Sequence, residues 1–231
     1  MVSRQALSFH DPSFFWLFFL FLSVVLSGNL RVLVFSVDGF SCIKDDDASM
    51  WVPDIINGTS RMRSGKKKAP HFSFFPGNLR WLKFQLTYAF LPGTRDDAIN
   101  PVGGAFQKWA ANTQFTFWRI DNYTDADVTI SFERGDHNDG HPFEGPPYGD
   151  LAHATTPTGG IFHYNGEYQW SESVTPDSFH WETVALHEIG HLLGLEHTSD
   201  ENGIMFPGVG PGISKDLDRD AIEGIKALYK E

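Results

Sequence analysis

Eleven consecutive residues, HEIGHLLGLEH from His187 to His197, carry three imidazoles, a carboxylate and a glycine at spacings that metal chemistry can use. On a helix, residues four apart lie about 6 Å apart along the axis and about 400° apart in rotation, so His187 and His191 project from one face toward one ion. Glu188, displaced by about 100° from His187, is placed to meet a metal-bound water without ligating the ion. Gly194 is the residue type best able to adopt a left-handed conformation, ending the helix and turning the chain so that His197 approaches as a third ligand. Three protein ligands and a fourth position left to water describe a catalytic zinc centre, whereas structural centres close all four positions. The chemistry implied is hydrolysis. Zinc brings the pKa of its bound water to about 7 and polarises a carbonyl, while Glu188 accepts the water's proton and returns it to the leaving amine. The competing reading, histidines on an ordinary helix, suits a bare HExxH; with the glycine and third histidine included, a chance match falls to on the order of one in a hundred thousand.

Downstream, GIMFP places Met205 in a turn bounded by glycine and proline. HExxHxxGxxH followed by such a Met-turn resembles the metzincins. Within them the chain resembles the matrix metalloproteinases, or matrixins, of the plant type, through VPDIINGTSRMRSGKKK, SFFPGNLRW, DHNDGHPFEG, LAHA and DAIEGIKALY in the family's order. The resemblance implies an α+β fold, a twisted mixed β-sheet with three helices and a cleft across the zinc. It implies an extended polypeptide substrate pairing with the strand around Asp150 to Ala154, and an outer pocket wall formed by Pro207 to Val209. The function expected is that of a zinc-dependent metalloendopeptidase acting on extracellular matrix or cell-wall proteins. The alternative is a catalytically inactive zinc-binding interaction protein of the same fold, against which the retention of Glu188 argues.

A second group, His137, Asp139, His153 and His163, has ligand types suited to zinc, and four of them would close a structural shell. By spacing alone the ordinary reading is the stronger, since scattered histidines more often face solvent or cap loops; the resemblance assigns these residues to a structural zinc. It also assigns calcium to the region of Asp127, Glu144 and Gly145. There Asn165 replaces an expected aspartate, and Tyr168 stands where glutamate is usual, with Glu167 one residue early. Loss of carboxylates lowers calcium affinity, so weak or partial calcium binding is expected.

Several elements must position these groups. WLKFQLTYAF, residues 81 to 90, has strand composition. Asp96 and Asp97 introduce a helix in which Ala98, Val102, Ala105, Phe106 and Trp109 recur at three- and four-residue spacing, with Pro101 in its first turn. FTFWRI and DVTISF read as further strands, and LAHA as a short strand near the cleft.

The chain has 231 residues, 41% of them hydrophobic, one cysteine and a formal net charge of −11. That suits one globular domain with N-terminal additions and excludes the concentrated basic surface on which nucleic-acid binding depends. A domain of this size buries about 70% of its unfolded surface and needs no disulfide staple. Residues 1–27 are expected to be an export signal, with Arg4 preceding the apolar run FFWLFFLFLSVVL. An uncleaved anchor is the other option, because LRVLVFSV follows closely. Residues 28–70 form a short prosegment and a basic linker, and 71–231 the catalytic domain. Matrixins hold themselves latent through a PRCGVPD-like cysteine. Here ASMWVPD puts Met50 at that position, and a thioether is a weak zinc ligand. A secreted, extracellular monomer without a lipid anchor is expected, with Asn57 and Asn122 as candidate glycosylation sites.

Overall fold

The computed structural model describes residues 71–230 together with two short strands upstream, Trp51–Pro53 and Ile56–Asn57. The expected export signal, Met50 and the basic linker lie outside the described residues.

The strands β1 (Trp51–Pro53), β3 (Gln85–Phe90), β4 (Thr116–Arg119), β5 (Val128–Glu133), β6 (Ala152–Thr155) and β7 (Ile161–Asn165) form one sheet in the order β1-β6-β7-β5-β3-β4. Neighbours from β4 to β7 are parallel, while β6 runs antiparallel to both β7 and β1. The strand β2 (Ile56–Asn57) pairs in parallel with β10 (Gly208–Val209), and β8 (Trp170–Ser171) with β9 (Phe179–His180). Three helices accompany the sheet among the described residues, α1 (Asp96–Asn112), α2 (Trp181–Leu192) and α3 (Arg219–Leu228), as the mixed-sheet expectation required.

The apolar stripe anticipated on the first helix is the face that α1 buries: Ala98, Val102, Ala105, Phe106 and Trp109 are all within 1% of full burial. Asp96 and Asp97 lie in its first turn, where negative charge favours the helix dipole. Pro101 falls in the second turn rather than the first. Its missing N–H leaves only the carbonyl of Asp97 without a helical donor, and Asp97 is exposed to water. The first expected strand begins later than its composition suggested, at Gln85. Trp81 is drawn away into the core instead, where its Nε1 donates to the carbonyl of Leu192 at the end of α2.

Helix α2 is buried along nearly its whole length, from Trp181 through Leu192. A helix apolar on all sides is stable only when neighbours cover it completely. Here α1 packs on one side and β6 and β7 on another. Trp109 of α1 also donates from Nε1 to the carbonyl of Leu186, so this contact combines apolar burial with a satisfied polar atom. Asn122, one of the two candidate glycosylation positions, is exposed at the N-cap of a short 3-10 turn.

Trp109→Ala is expected to destabilise the protein by about 3–5 kcal/mol, the range for large aromatic truncations in a packed core. A lowered urea midpoint with an unchanged slope is the result to look for.

Candidate metal centres

His187, His191 and His197 come together as the sequence predicted, their ligand atoms all lying within 4.8 Å of one another. His187 and His191 project from one face of α2, one helical turn apart, with ring centroids separated by 4.6 Å. His197 reaches them from beyond the helix, its ring centroid 5.3 Å from that of His187 and 4.8 Å from that of His191.

Backbone carbonyls fix the tautomers. His187 Nδ1 lies 2.7 Å from the carbonyl oxygen of Ile204, and His191 Nδ1 lies 2.7 Å from that of Leu195. A carbonyl only accepts, so both Nδ1 atoms carry the proton. That leaves Nε2 of each ring as the nitrogen turned inward, and these two nitrogens face one another at 2.9 Å. Two imidazole nitrogens converging in this way can share one metal ion. The donor set therefore fits a zinc ion, with outer hydrogen bonds of the kind that orient imidazole ligands.

The turn that delivers His197 depends on Gly194. Its φ is +105°, in the region that favours glycine, and an added Cβ would meet the carbonyl oxygen of Leu79 at 2.5 Å. Leu195 then donates to the carbonyl of Gly190, and Phe74 bridges Leu195 in antiparallel fashion. Ser73 Oγ donates to the carbonyl of His197 at 2.6 Å. None of these N-terminal supports was legible as a site residue, because Ser73 and Phe74 stand 124 and 121 positions away from the groups they hold.

Met205 is buried beneath the helix, as the Met-turn pattern implied. A Cβ at Gly190 would collide with its Sδ, so glycine is required for that contact. The turn is held from α3: Asp218 caps that helix by accepting from Ala221 N through Oδ1, and accepts from Ile204 N at 2.6 Å through Oδ2. Asp218 thus fixes the carbonyl-bearing residue that orients His187. Its sequence signal was only that of an N-cap. Pro207, expected in the pocket wall, directly precedes β10 and is half-buried.

Glu188 is fully buried beside His187 on α2. Tyr164 lies close enough that burial, and then the charge of Glu188, raise its phenol well above the ordinary range. The Tyr164 hydroxyl is itself turned away, donating to the carbonyl of Trp181.

The second group also assembles. His153 on β6 and His163 on β7 are direct cross-strand partners, which puts both rings on one face of the sheet. His137 and Asp139 come from the loop after β5, where Asn138 between them has a φ of +64°. His141 N donates to Asp139 Oδ1, leaving Oδ2 to face the imidazoles. That oxygen lies 2.7 Å from His137 Nε2, 3.0 Å from His153 Nε2 and 3.2 Å from His163 Nδ1. His153 Nε2 is 3.3 Å from His137 Nε2 and 3.2 Å from His163 Nδ1. A zinc tetrahedron with bonds of about 2.0 Å has edges of about 3.3 Å, so four donors at this spacing fit a closed shell. Burial first, and then His163, push the His153 imidazole down to about 3, favouring the neutral form that ligates metal.

The residues associated with calcium are arranged differently. Asp127 accepts from Lys83 Nζ at 2.5 Å and from the backbone N and hydroxyl of Thr87. Although burial opposes ionisation, these donors hold its carboxyl below the usual range. Glu167 is paired with Arg134 at 3.0 Å. Asn165 Nδ2 donates to the carbonyls of Glu144 and Asp150 at 2.9 and 2.8 Å, while its Oδ1 accepts from Glu167 N. Tyr168 closes the same loop by donating to the carbonyl of Gly149, and Gly145 lies exposed within it. Among the described residues, Asp127, Glu144 and Glu167 do not converge as a metal-ligating group. An amide nitrogen and two ion pairs engage groups that the resemblance associates with calcium.

The matrixin family profile matches residues 80–230. Metalloendoproteinase 5-MMP of Arabidopsis thaliana is 42% identical over 193 residues, covering 77% of this chain and 53% of the relative. Metalloendoproteinase 1 of Glycine max is 39% identical over 189 residues, covering 77% and 61% respectively. Interstitial collagenase of Oryctolagus cuniculus is 38% identical over 174 residues, covering 72% of this chain and 36% of that protein. The chain spans about half the length of the curated plant relatives that head this comparison. The two histidine clusters and the mixed sheet define a zinc-binding domain of the metzincin kind. The chain belongs to the matrixin family.

Gly190→Ala is expected to cost about 1–3 kcal/mol through overpacking against Met205, although alanine alone favours a helix interior by about 1 kcal/mol. Combining it with Met205→Ala should recover part of the loss, giving a non-additive double-mutant cycle in urea denaturation.

Proposed function

We propose that this protein is a zinc-dependent endopeptidase that hydrolyses internal peptide bonds of extended polypeptides, with extracellular matrix or cell-wall proteins as substrates and secretion as its route. The observation that carries the reading is the pair of imidazole Nε2 atoms facing each other at 2.9 Å beside the buried carboxylate of Glu188. His187, His191 and His197 hold the catalytic zinc, and His137, Asp139, His153 and His163 a structural one. When bound, the catalytic ion supplies Lewis-acid polarisation of the scissile carbonyl and acidifies the attacking water. Glu188 takes the proton from that water and gives it to the leaving amine nitrogen as the C–N bond breaks. Burial of Glu188 keeps bulk water from competing for its proton. The edge of β6 holds the substrate in register through main-chain hydrogen bonds, and the segment Pro207 to Val209 borders the pocket beside the zinc. Calcium binding is weak or partial, a reading supported by the Asn165 amide's donation to the carbonyls of Glu144 and Asp150.

Hydrolysis of a quenched fluorescent peptide library by the full chain should be abolished by a zinc chelator. Glu188→Gln should lower kcat/KM by about 10²–10⁴-fold while leaving the zinc content unchanged. A zinc-loaded, folded wild type that cuts nothing would replace this reading with that of a zinc-binding interaction protein.

Metal analysis should find two zinc ions per chain, one for each cluster, and His163→Ala should retain one and unfold at a lower temperature. Calorimetric titration should show no tight calcium site; two such sites would reverse the account of the 144–150 loop.

A further inference from the structure

The turn 203–208 carries the Ile204 carbonyl that orients His187 and the Met205 side chain that meets Gly190 on α2, and it runs directly into Pro207 to Val209. Carbonyls from both ends of this turn converge on one point, and Lys215 Nζ occupies it. The ammonium donates to the carbonyls of Glu201 at 2.9 Å, Gly203 at 3.0 Å and Gly208 at 3.5 Å. It has three N–H donors and no acceptor, so three carbonyls satisfy it. The ring of Phe206 adds a further contact, its centroid 5.1 Å from Nζ. All of these groups lie between residues 201 and 208, so a single side chain closes the turn on itself.

The backbone of the same lysine is fixed to the metal-bearing helix. Lys215 N donates to Thr183 Oγ1 at 2.9 Å, and that hydroxyl donates back to the Lys215 carbonyl at 3.2 Å. Thr183 is buried on α2, four residues and about one turn before His187. The next residue, Asp216, pairs with Lys108 of α1 at 3.0 Å, and Lys108 also pairs with Glu182 of α2 at 3.2 Å. One end of Lys215 is therefore anchored on α2 while the other holds Gly208 in β10. Burial works against the charge of the ammonium, and Asp218, Asp200 and Glu201 work in its favour.

We propose that Lys215 is a positioning residue that sets the width of the pocket between α2 and the Pro207–Val209 wall, and thereby the size of the substrate side chain that the pocket accepts. The inference rests on reading that segment as the pocket border. A lysine stem has a fixed maximum reach, so helix and wall are held in register by one strut. Without the ammonium, the three carbonyls lose their shared donor and must turn to water, and the wall moves with them.

The test compares the full chain with Lys215→Met, which keeps an apolar stem and removes the ammonium. Lys215→Cys, made together with Cys42→Ser so that it is the chain's one cysteine, is a second ammonium-free protein; reaction with 2-bromoethylamine restores an ammonium at nearly the same reach. For peptides that differ only in the side chain entering the pocket, leucine against alanine, Lys215→Met should lower the ratio of kcat/KM values by about tenfold, with the change residing in KM of the leucine peptide. Unmodified Lys215→Cys should behave likewise, and aminoethylation should return the ratio to that of the wild type. In a Glu188→Gln background, Lys215→Met should accelerate hydrogen exchange of the amides in 203–209 by about tenfold or more, with the zinc content unchanged. An unchanged ratio, or a loss that aminoethylation does not reverse, would overturn the proposal, as would failure of both ammonium-free proteins to fold. Exchange is read without hydrolysis, so ammonium-dependent protection of 203–209 in a chain that cuts neither peptide would support the strut while counting against the endopeptidase reading.

Discussion

The convergence of three imidazoles is the constraint on which the rest of the molecule depends. His187 and His191 can turn their Nε2 lone pairs toward one point only because the carbonyls of Ile204 and Leu195 hold both Nδ1 protons. Those carbonyls come from segments outside the helix, and each must itself be fixed. Leu195 is fixed by the left-handed Gly194 and the bridge to Phe74, and Ile204 by Asp218 at the start of α3. Burial makes this arrangement strict. A misplaced carbonyl would leave a desolvated N–H unsatisfied at a cost of about 1–3 kcal/mol, so the first and last segments of the domain are tied to the geometry of its central helix.

The second cluster solves a similar problem with different parts. Two of its imidazoles are delivered by strand register alone, since His153 and His163 are paired across β6 and β7. The other two ligands come from a loop that has no regular hydrogen-bond ladder, and the left-handed Asn138 turns His137 and Asp139 to the same side. An ion held by these four groups would join the loop to the sheet. Nearby, the 144–150 loop is joined to β7 by a neutral side chain: the Asn165 amide donates to two of its carbonyls and the Tyr168 hydroxyl to a third. The two arrangements illustrate alternative ways to organise a loop, one by converging donor groups suited to a cation and one by fixed N–H and O–H donors.

The cleft is set by the direction of β6. As the only strand antiparallel to β7, it offers an outer edge on which an extended chain can add, and β1 does so.

The sequence by itself determined the parts whose spacing is local. HEIGHLLGLEH specified a helix, a left-handed glycine and three ligands because the helical period relates positions four apart without reference to the rest of the chain. The stripe from Ala98 to Trp109 was legible for the same reason. Met205 and the four residues of the second cluster were identified only through family resemblance, since nothing in their spacing reports that β6 and β7 pair in that register. What tertiary structure alone decided are contacts between backbone groups and distant side chains: the Ile204 and Leu195 carbonyls on the imidazoles, Ser73 on His197, Asp218 on the Met-turn, and Asn165 in the loop where a cation was expected. A carbonyl is present at every residue and carries no sequence signature, and an asparagine shows its hydrogen-bonding role only once its partners are folded around it. The ligand types are therefore written in the chain, while their protonation, orientation and surrounding walls arise from packing.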